Sequence, residues 1–188
     1  MRQVLAWTTR RIQRRARAAG TLFILVAALN GCQTVNPSVA PKPVVNSAIP
    51  ARPINRVLDA AGILTRQEAA NLAAVLLNLE QRRLGEIAIY IAPALPSGET
   101  LEDFTLRVAK AWGFGRPGID DGLVIFVFVA DRKIRVEVGD GLSGAVSDEA
   151  AARLIAEQMA PSFRRKQYYE GLNLALTELT RLLAEPRG

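Results

Sequence analysis

The chain has 188 residues, with 24 lysines and arginines, 18 aspartates and glutamates, one cysteine and no histidine. Without histidine there is no Ser-His-Asp triad, Cys-His dyad or histidine-ligated zinc site, and one cysteine cannot form an intrachain disulfide. Six arginines and no acidic residue lie in the first 31 residues, so the rest of the chain is neutral and gives no reason to expect nucleic-acid binding.

Residues 1–31 are typical of a secretory signal peptide of the lipoprotein type. The arginines precede an apolar run from Ala18 to Leu29, and Asn30, Gly31 and Cys32 follow it. A basic region, a short apolar region and small residues before a cleavage point describe a secretory signal. The apolar run is shorter than the roughly 20 residues that span a bilayer. Cys32 is similar to the lipid-attachment cysteine of bacterial lipoproteins; the alternative is an uncleaved anchor in which Cys32 is a plain thiol.

Residues 32–54 are predicted to form a flexible, proline-rich tether. Proline at this density prevents helices and favours extended, solvated backbone. The chain is thus predicted to be lipid-anchored in the bacterial cell envelope, with its domain facing the periplasm or the cell exterior. The prolines are Pro37, Pro41, Pro43, Pro50 and Pro53.

Residues 55–185 have the length expected of one domain. Its first helix is predicted to begin at Thr65, because Thr65 and Glu68 have the spacing of a capping box. Gly85 is well placed to end this helix. The apolar and β-branched residues of 86–91 then predict a strand.

An antiparallel hairpin is predicted in the middle of this domain. A second helix, which Thr100 begins and Gly113 ends, precedes it. Leu123–Val129 is apolar without a break, as expected of a strand covered on both faces. Apolar and charged residues alternate over 133–138, so this strand is predicted to have one wet face and to lie nearer an edge. The four residues 130–133, between Val129 and Ile134, suit a tight hairpin.

Two more helices complete the predicted domain. Ser147 caps the first of them, and Asp148 and Glu149 in its first turn favour the helix dipole. Leucines in helical register predict the second over 169–183. Strands alternating with helices predict a three-layer α/β/α sandwich with a mixed sheet of about four strands.

Four carboxylates are predicted to meet at one edge of this sheet. Asp120 and Asp121 stand just before the first strand of the hairpin, and Glu137 and Asp140 flank the end of the second. The start of one strand lies beside the end of the next in such a pair, whereas Asp131 falls at the opposite, hairpin end. Because hard cations prefer oxygen ligands, the four residues are predicted to bind Ca²⁺, with Mg²⁺ as the second choice.

A solvated loop explains the same acids equally well, and the sequence leaves the choice open. In that interpretation Asp120, Asp121 and Asp140 form turns, while Glu137 pairs on the surface with Arg135 or Arg116.

Three glycines predict a sharply turning loop after the hairpin. Gly139, Gly141 and Gly144 match the Gly-x-Gly-x-x-Gly of dinucleotide-binding folds by letter. However, the next helix begins only near Ser147, and neither a preceding βαβ unit nor an acidic partner at the usual distance is present. A loop is therefore favoured over a nucleotide site.

Five short motifs lie in order and with compact spacing between about residue 55 and about residue 183. They are V-x-D-x-A-G-x-L-T (57–65), W-G-x-G (112–115), D-G-strand-D-R (121–132), E-V-G-x-G-L-x-G (137–144), and P-x-F-R with Y-x-x-G (161–171). With these motifs the chain resembles the TPM domain family. The family is named for a thylakoid lumen protein, a photosystem-associated protein and a modulator of the levamisole receptor.

The resemblance implies the same α/β sandwich and a role beside membrane proteins. Family members act beside photosystem II or a receptor channel, and some bind calcium near this region. The chain is therefore predicted to be a non-catalytic, membrane-tethered accessory domain that binds a membrane protein or protein complex of the envelope and a divalent cation.

Two alternatives stay open. One is a metal-dependent acid phosphatase, since such an activity is attributed to a plant member of the family. Asp121 is the carboxylate available as a nucleophile, but the Asp-x-Asp spacing of aspartyl phosphatases is missing, so no catalytic residue is assigned. The other is a periplasmic module that binds a small anion.

Overall fold

A computed structural model describes residues 4–6 and 47–185. These residues belong to one unit of the chain. Cys32 and the first part of the predicted tether, up to residue 46, lie outside the described residues. So does the predicted signal peptide, apart from its short segment Val4–Ala6.

A mixed sheet lies at the centre of the domain, as the sequence predicts. Its strands stand in the order β1-β5-β4-β3-β2. β2, β3 and β4 are parallel, whereas β5 pairs antiparallel with β4 through the predicted hairpin, and β1 pairs antiparallel with β5. Four of the five strands lie within residues 47–185. The strands are β1 (Val4–Ala6), β2 (Val57–Asp59), β3 (Glu86–Ala92), β4 (Gly122–Phe128) and β5 (Lys133–Val138).

Helices cover both faces of the sheet. A 3₁₀ turn, Asp140–Leu142, follows β5, and a π-helical turn, Leu154–Met159, joins the third and fourth helices. No helix in the described part of the chain is long and apolar enough to cross a membrane. The helices are α1 (Arg66–Gln81), α2 (Leu101–Trp112), α3 (Asp148–Arg153), α4 (Ala160–Arg164) and α5 (Tyr168–Ala184).

The helix starts agree with the sequence, and one helix end does not. Thr65 and Glu68 form the predicted capping box of α1, in which each side chain accepts from the backbone N–H of the other. The prediction that Gly85 ends α1 was wrong, because α1 ends at Gln81 and Arg83 takes a left-handed conformation with φ of 57°. Gly85 instead allows close packing against the Asp121 carbonyl oxygen, which a Cβ would approach to 3.0 Å.

The alternation of β4 divides the core into two chemically different halves. Its residues 123, 125 and 127 are aliphatic and pack beneath α1 and the helices α3–α5. Its residues 124, 126 and 128 face α2, where the rings of Phe126, Phe128, Tyr90, Phe104 and Trp112 pack together. Every residue of β4 is buried, as its unbroken apolar sequence predicts.

The last part of the predicted tether is fastened to the α2 side of the domain. The Trp112 indole N–H donates to the Pro50 carbonyl oxygen at 2.7 Å, and the Arg107 guanidinium donates to the Ser47 carbonyl oxygen at 2.8 Å. The Arg52 guanidinium lies over the Phe114 ring, 4.3 Å from its centroid. Residues 47–53 therefore approach the domain along a defined path.

Candidate functional site

Two glycine-rich loops lie against each other at one end of the hairpin. The Gly139 N–H donates to the Gly122 carbonyl oxygen at 2.8 Å, and the Gly141 N–H donates to the Asp120 carbonyl oxygen at 3.0 Å. A Cβ at Gly139 would lie 2.1 Å from the Asp120 carbonyl oxygen, whereas a Cβ at Gly144 would meet nothing within 4 Å. The close approach of the loops therefore requires Gly139 and Gly141 but not Gly144.

Two of the predicted metal ligands are neighbours on these loops. Asp120 and Asp140 are both exposed, and the Asp140 N–H donates to Asp120 Oδ2 at 2.9 Å. Asp120 has a φ of 54°, a left-handed conformation that is uncommon for a residue with a Cβ. This end of the hairpin thus carries two solvent-accessible carboxylates side by side.

The third predicted ligand, Asp121, is held by an arginine. Its side chain is buried, and the Arg116 backbone N–H and Nε donate to its two oxygens, each at 2.7 Å. Burial acts to raise the pKa of Asp121, but the hydrogen bonds from the side chain and backbone of Arg116 outweigh it and hold the pKa below its ordinary value. Both oxygens are thus occupied within the protein.

The fourth predicted ligand, Glu137, lies on a strand face that the sequence assigns to water. That assignment was wrong: Arg135 is 3% exposed and Glu137 is 5% exposed. The reason is that α2 crosses this end of β5, and the Thr105 hydroxyl on its buried side donates to Glu137 Oε1 at 2.7 Å. Alternation of apolar and charged residues along a strand shows that its two faces differ. It does not show whether the charged face meets water or an amphipathic helix.

The pair formed by Arg135 and Glu137 is only partly satisfied. Arg135 Nε and the Thr105 hydroxyl both donate to Glu137 Oε1. Among the described residues, Glu137 Oε2 is buried and has no hydrogen-bond partner, and the same is true of Arg135 Nη1, which lies 3.8 Å from Glu102 Oε1. Buried charged groups are expensive unless they are fully hydrogen-bonded. Glu137 therefore keeps one unused acceptor.

A cleft of about 270 Å³ lies between α2 and this end of the β4–β5 pair. Val124 and Glu137 are cross-strand neighbours, and both side chains lie on the sheet face that α2 covers. The cleft combines mainly apolar walls with one buried carboxylate and an exposed residue of each charge. Among its lining residues are Leu106, Ala109, Lys110, Phe114, Asp120, Val124 and Glu137.

The four predicted ligands therefore occupy three different environments. Among the residues that the structure describes, no three His, Cys, Asp or Glu side chains lie close enough to hold a metal together. Asp120 and Asp140 retain free carboxylate oxygens, which is the donor chemistry that Ca²⁺ prefers, whereas Asp121 and Glu137 are bound by arginines. A cation site at this end of the hairpin stays a prediction.

Sequence reasoning missed the residues that build the cleft from the α2 side. Thr105, Leu106 and Ala109 are ordinary helix residues by type, and nothing in their spacing sets them apart. The available signal was the Arg-x-Glu pair on β5, since two opposite charges on one strand face suit burial under a helix as well as exposure.

Comparison with known families and structures identifies relatives of the whole folded region. The family profile described as the TPM domain matches residues 57–182. The N-terminal domain of a protein from Porphyromonas gingivalis, solved by NMR, has 31% identity and a TM-score of 0.63, and the match covers 69% of this chain and 82% of that one. Comparison with curated protein sequences found no match.

Two more distant structures share the fold. The BA42 protein of the psychrophilic bacterium Bizionia argentinensis has 20% identity and a TM-score of 0.55, with 66% of this chain and 86% of that one covered. The N-terminal domain of the cg2496 protein from Corynebacterium glutamicum has 13% identity and a TM-score of 0.53, with 78% and 93% covered.

Proposed function

Because this chain belongs to the TPM domain family, we propose that it is a membrane-tethered, non-catalytic accessory domain of the bacterial cell envelope. It binds a membrane protein or a protein complex through the cleft beside Glu137. The observation that carries this proposal is the position of residues 47–53. They are fastened beside the cleft, since Arg52 lies over Phe114 and Phe114 lines the cleft.

The proposed lipid anchor at Cys32 keeps this cleft close to the membrane. The residues between Cys32 and Ser47 extend at most about 50 Å. Cleavage before Cys32 removes β1 with the leader, and the mature domain then retains the four strands β2–β5. A partner embedded in the same membrane is within reach of such a tether.

Site-specific photo-crosslinking tests the partner proposal. Leu106 lines the cleft, and Leu174 on α5 is an ideal control because both side chains are 38% exposed. A photoreactive phenylalanine analogue at position 106 is expected to crosslink a membrane protein in intact envelopes, whereas the analogue at position 174 is not. Equal crosslinking at both positions, or none at either, would contradict the proposal.

The proposed cation site consists of Asp120 and Asp140, with Ca²⁺ favoured over Mg²⁺. A ligand that binds only the folded state raises the melting temperature. Addition of Ca²⁺ is therefore expected to stabilise the full chain, and the double variant Asp120→Asn/Asp140→Asn is expected to lose this effect. Asp148→Asn, on the exposed start of α3, is the control that keeps it. If Ca²⁺ still raises the melting temperature of the double variant, neither residue belongs to the site.

The alternative of a metal-dependent acid phosphatase makes a different prediction. Its candidate nucleophile, Asp121, is buried and has both oxygens bound by Arg116, which disfavours attack on a phosphate ester. We expect no hydrolysis of p-nitrophenyl phosphate by the full chain at acid pH with Ca²⁺ or Mg²⁺. Turnover that Asp121→Asn abolishes would overturn the non-catalytic proposal.

A further inference from the structure

We propose that removal of the leader opens the outer edge of β5 and that a second copy of this chain pairs with it there, β5 antiparallel to β5. This inference goes beyond the proposed function, which concerns a different protein as partner, but it rests on the proposed removal of the leader before Cys32. The starting observation is that β1, a segment of the leader, pairs antiparallel with β5 over residues 133–135, with Leu5 opposite Ile134. The outer edge of β5 therefore accepts an antiparallel strand.

The hydrogen bonds of the hairpin determine which backbone groups of β5 point outward. The Gly139 N–H donates to the Gly122 carbonyl oxygen, and Leu123 is the cross-strand neighbour of Val138. In an antiparallel pair, residues that bond to the partner strand alternate with residues whose backbone groups point away from it. The N–H and C=O groups of residues 134, 136 and 138 therefore point away from β4, toward the side on which β1 lies.

Loss of β1 makes β5 the edge strand of the remaining sheet, β2–β5. An edge strand presents a row of backbone groups with which another extended chain can pair. The match to the family profile begins at residue 57, so β1 lies outside the part of the chain that matches the family. Removal of the leader thus opens the edge without taking a strand from the matched domain.

The side chains of β5 favour one register for pairing with a second copy. With Val136 on the two-fold axis, Ile134 lies opposite Val138 of the second copy. In the same register Arg135 lies opposite Glu137 of the second copy. Apolar residues then meet on the face that packs beneath α1 and α3–α5, and opposite charges meet on the face that α2 covers. Cross-strand neighbours of both kinds stabilise a sheet.

The neighbouring registers are less favourable. An axis at residue 135 would place the two copies of Arg135 opposite each other, and an axis at residue 137 would do the same for Glu137; like charges in such positions repel. An axis between two residues would set outward-pointing backbone groups of one copy against inward-pointing groups of the other. The register centred on Val136 avoids both faults, and it leaves the ion pair between Arg135 and Glu137 within each chain intact.

Sedimentation equilibrium of the full, uncleaved chain in density-matched detergent micelles tests this inference. The wild type is expected to stay a monomer, because β1 occupies the edge of β5. Leu5→Pro removes the N–H that faces Ile134 and is expected to release the edge, so that the protein mass per particle doubles. A Leu5→Pro chain that remains a monomer, or a wild type that dimerises equally, overturns the inference.

A second substitution in the Leu5→Pro background assigns the dimer to β5. The Val136 N–H points away from β4, so Val136→Pro keeps the β4–β5 ladder and is expected to return the chain to a monomer. Val136→Ala keeps this N–H and is the matched control, which is expected to remain a dimer. A dimer that persists in Val136→Pro contradicts the pairing of β5 with β5.

Hydrogen exchange locates the interface at individual amides of the dimeric variant. The amides of residues 134, 136 and 138 are expected to exchange more slowly as the protein concentration rises. The amides of Arg135 and Glu137 already point toward β4, so their exchange is expected to stay constant. Protection that rises only outside β5 contradicts the inference.

The processed protein provides a test that does not depend on the folding of Leu5→Pro, which circular dichroism checks. This protein is extracted from membranes, and mass spectrometry shows whether the leader is absent. It is expected to sediment as a dimer. A processed monomer, or a membrane-bound protein that retains its leader, overturns the inference.

The outcome is separable from that of the proposed function. A dimer through β5 without crosslinking at Leu106 would support this inference and contradict the membrane-protein partner at the cleft. Crosslinking at Leu106 to a membrane protein by a monomeric processed chain would support the partner and overturn the dimer.

Discussion

Two arginine–carboxylate pairs lie near the same end of the sheet and differ in what they leave free. Asp121 and Glu137 are both buried acids that the sequence predicts as metal ligands, and each is bound by an arginine. Arg116 occupies both oxygens of Asp121, whereas Arg135 and Thr105 share one oxygen of Glu137 and leave the other unused. The sequence predicts one role for both acids, whereas the hydrogen bonds hold Asp121 through both of its oxygens and Glu137 through Oε1.

The two arginines also differ in their access to water. The Arg116 side chain is 35% exposed, whereas that of Arg135 is almost completely buried. If its acid is removed, Arg116 regains hydration, but Arg135 stays buried and keeps the half-exposed Glu102, 3.8 Å from its Nη1, as a weak counter-charge. Removing the acid should therefore cost more stability at Glu137 than at Asp121.

Glu137→Ala is expected to have the largest effect on stability. Breaking a buried ion pair by removing one partner typically costs about 3–5 kcal/mol in the free energy of unfolding. Urea denaturation measures this loss. The double variant Arg135→Met/Glu137→Leu is expected to recover most of it, because well-packed apolar residues replace buried pairs at little cost. If the double variant is less stable than Glu137→Ala, the stability loss in Glu137→Ala does not come from leaving Arg135 without its partner.

Gly139→Ala is expected to have the next largest effect, because it separates the loops that position both pairs. Its Cβ would lie 2.1 Å from the Asp120 carbonyl oxygen, so the backbone has to move, at a cost of about 3 kcal/mol. Gly144→Ala is the matched control, since a Cβ there meets nothing within 4 Å. Thermal unfolding of the two variants distinguishes them, and equal melting temperatures would mean that the loops do not depend on this contact.

Asp121→Asn is expected to cost about 1–2 kcal/mol at neutral pH, the smallest effect of the three. The pKa of Asp121 is lowered in the folded protein, so its stabilising contribution is complete above the unfolded carboxyl pKa of about 4. That contribution is lost as the pH falls through the lowered pKa. Urea unfolding at a series of acid pH values should therefore show the stability difference between wild type and variant shrinking as the pH falls. If the stability difference between wild type and Asp121→Asn does not change with pH, the stabilisation does not come from the charge of Asp121.

Much of the fold could be predicted because it depends on local signals. The capping box at Thr65, the unbroken apolar run of β4 and the short hairpin each specify their own structure with few alternatives. The end of α1 could not be predicted in the same way, because Arg83 adopts a left-handed conformation that sequence assigns to glycine.

The site could be predicted only as far as backbone geometry determines it. The hairpin rule brings Asp120 next to Asp140, and the structure has these residues in contact. The environment of Glu137 depends instead on the path of α2 across β5, which brings Thr105 to its carboxylate from a segment more than thirty residues earlier. Such a tertiary contact leaves no local trace in the sequence.

Urea unfolding of Glu137→Ala beside Asp121→Ala tests the central comparison most directly. The account predicts a larger loss in the free energy of unfolding for Glu137→Ala, because Arg135 stays buried whereas the Arg116 side chain is 35% exposed. An equal loss, or a larger loss in Asp121→Ala, would contradict the different roles assigned to the two carboxylates.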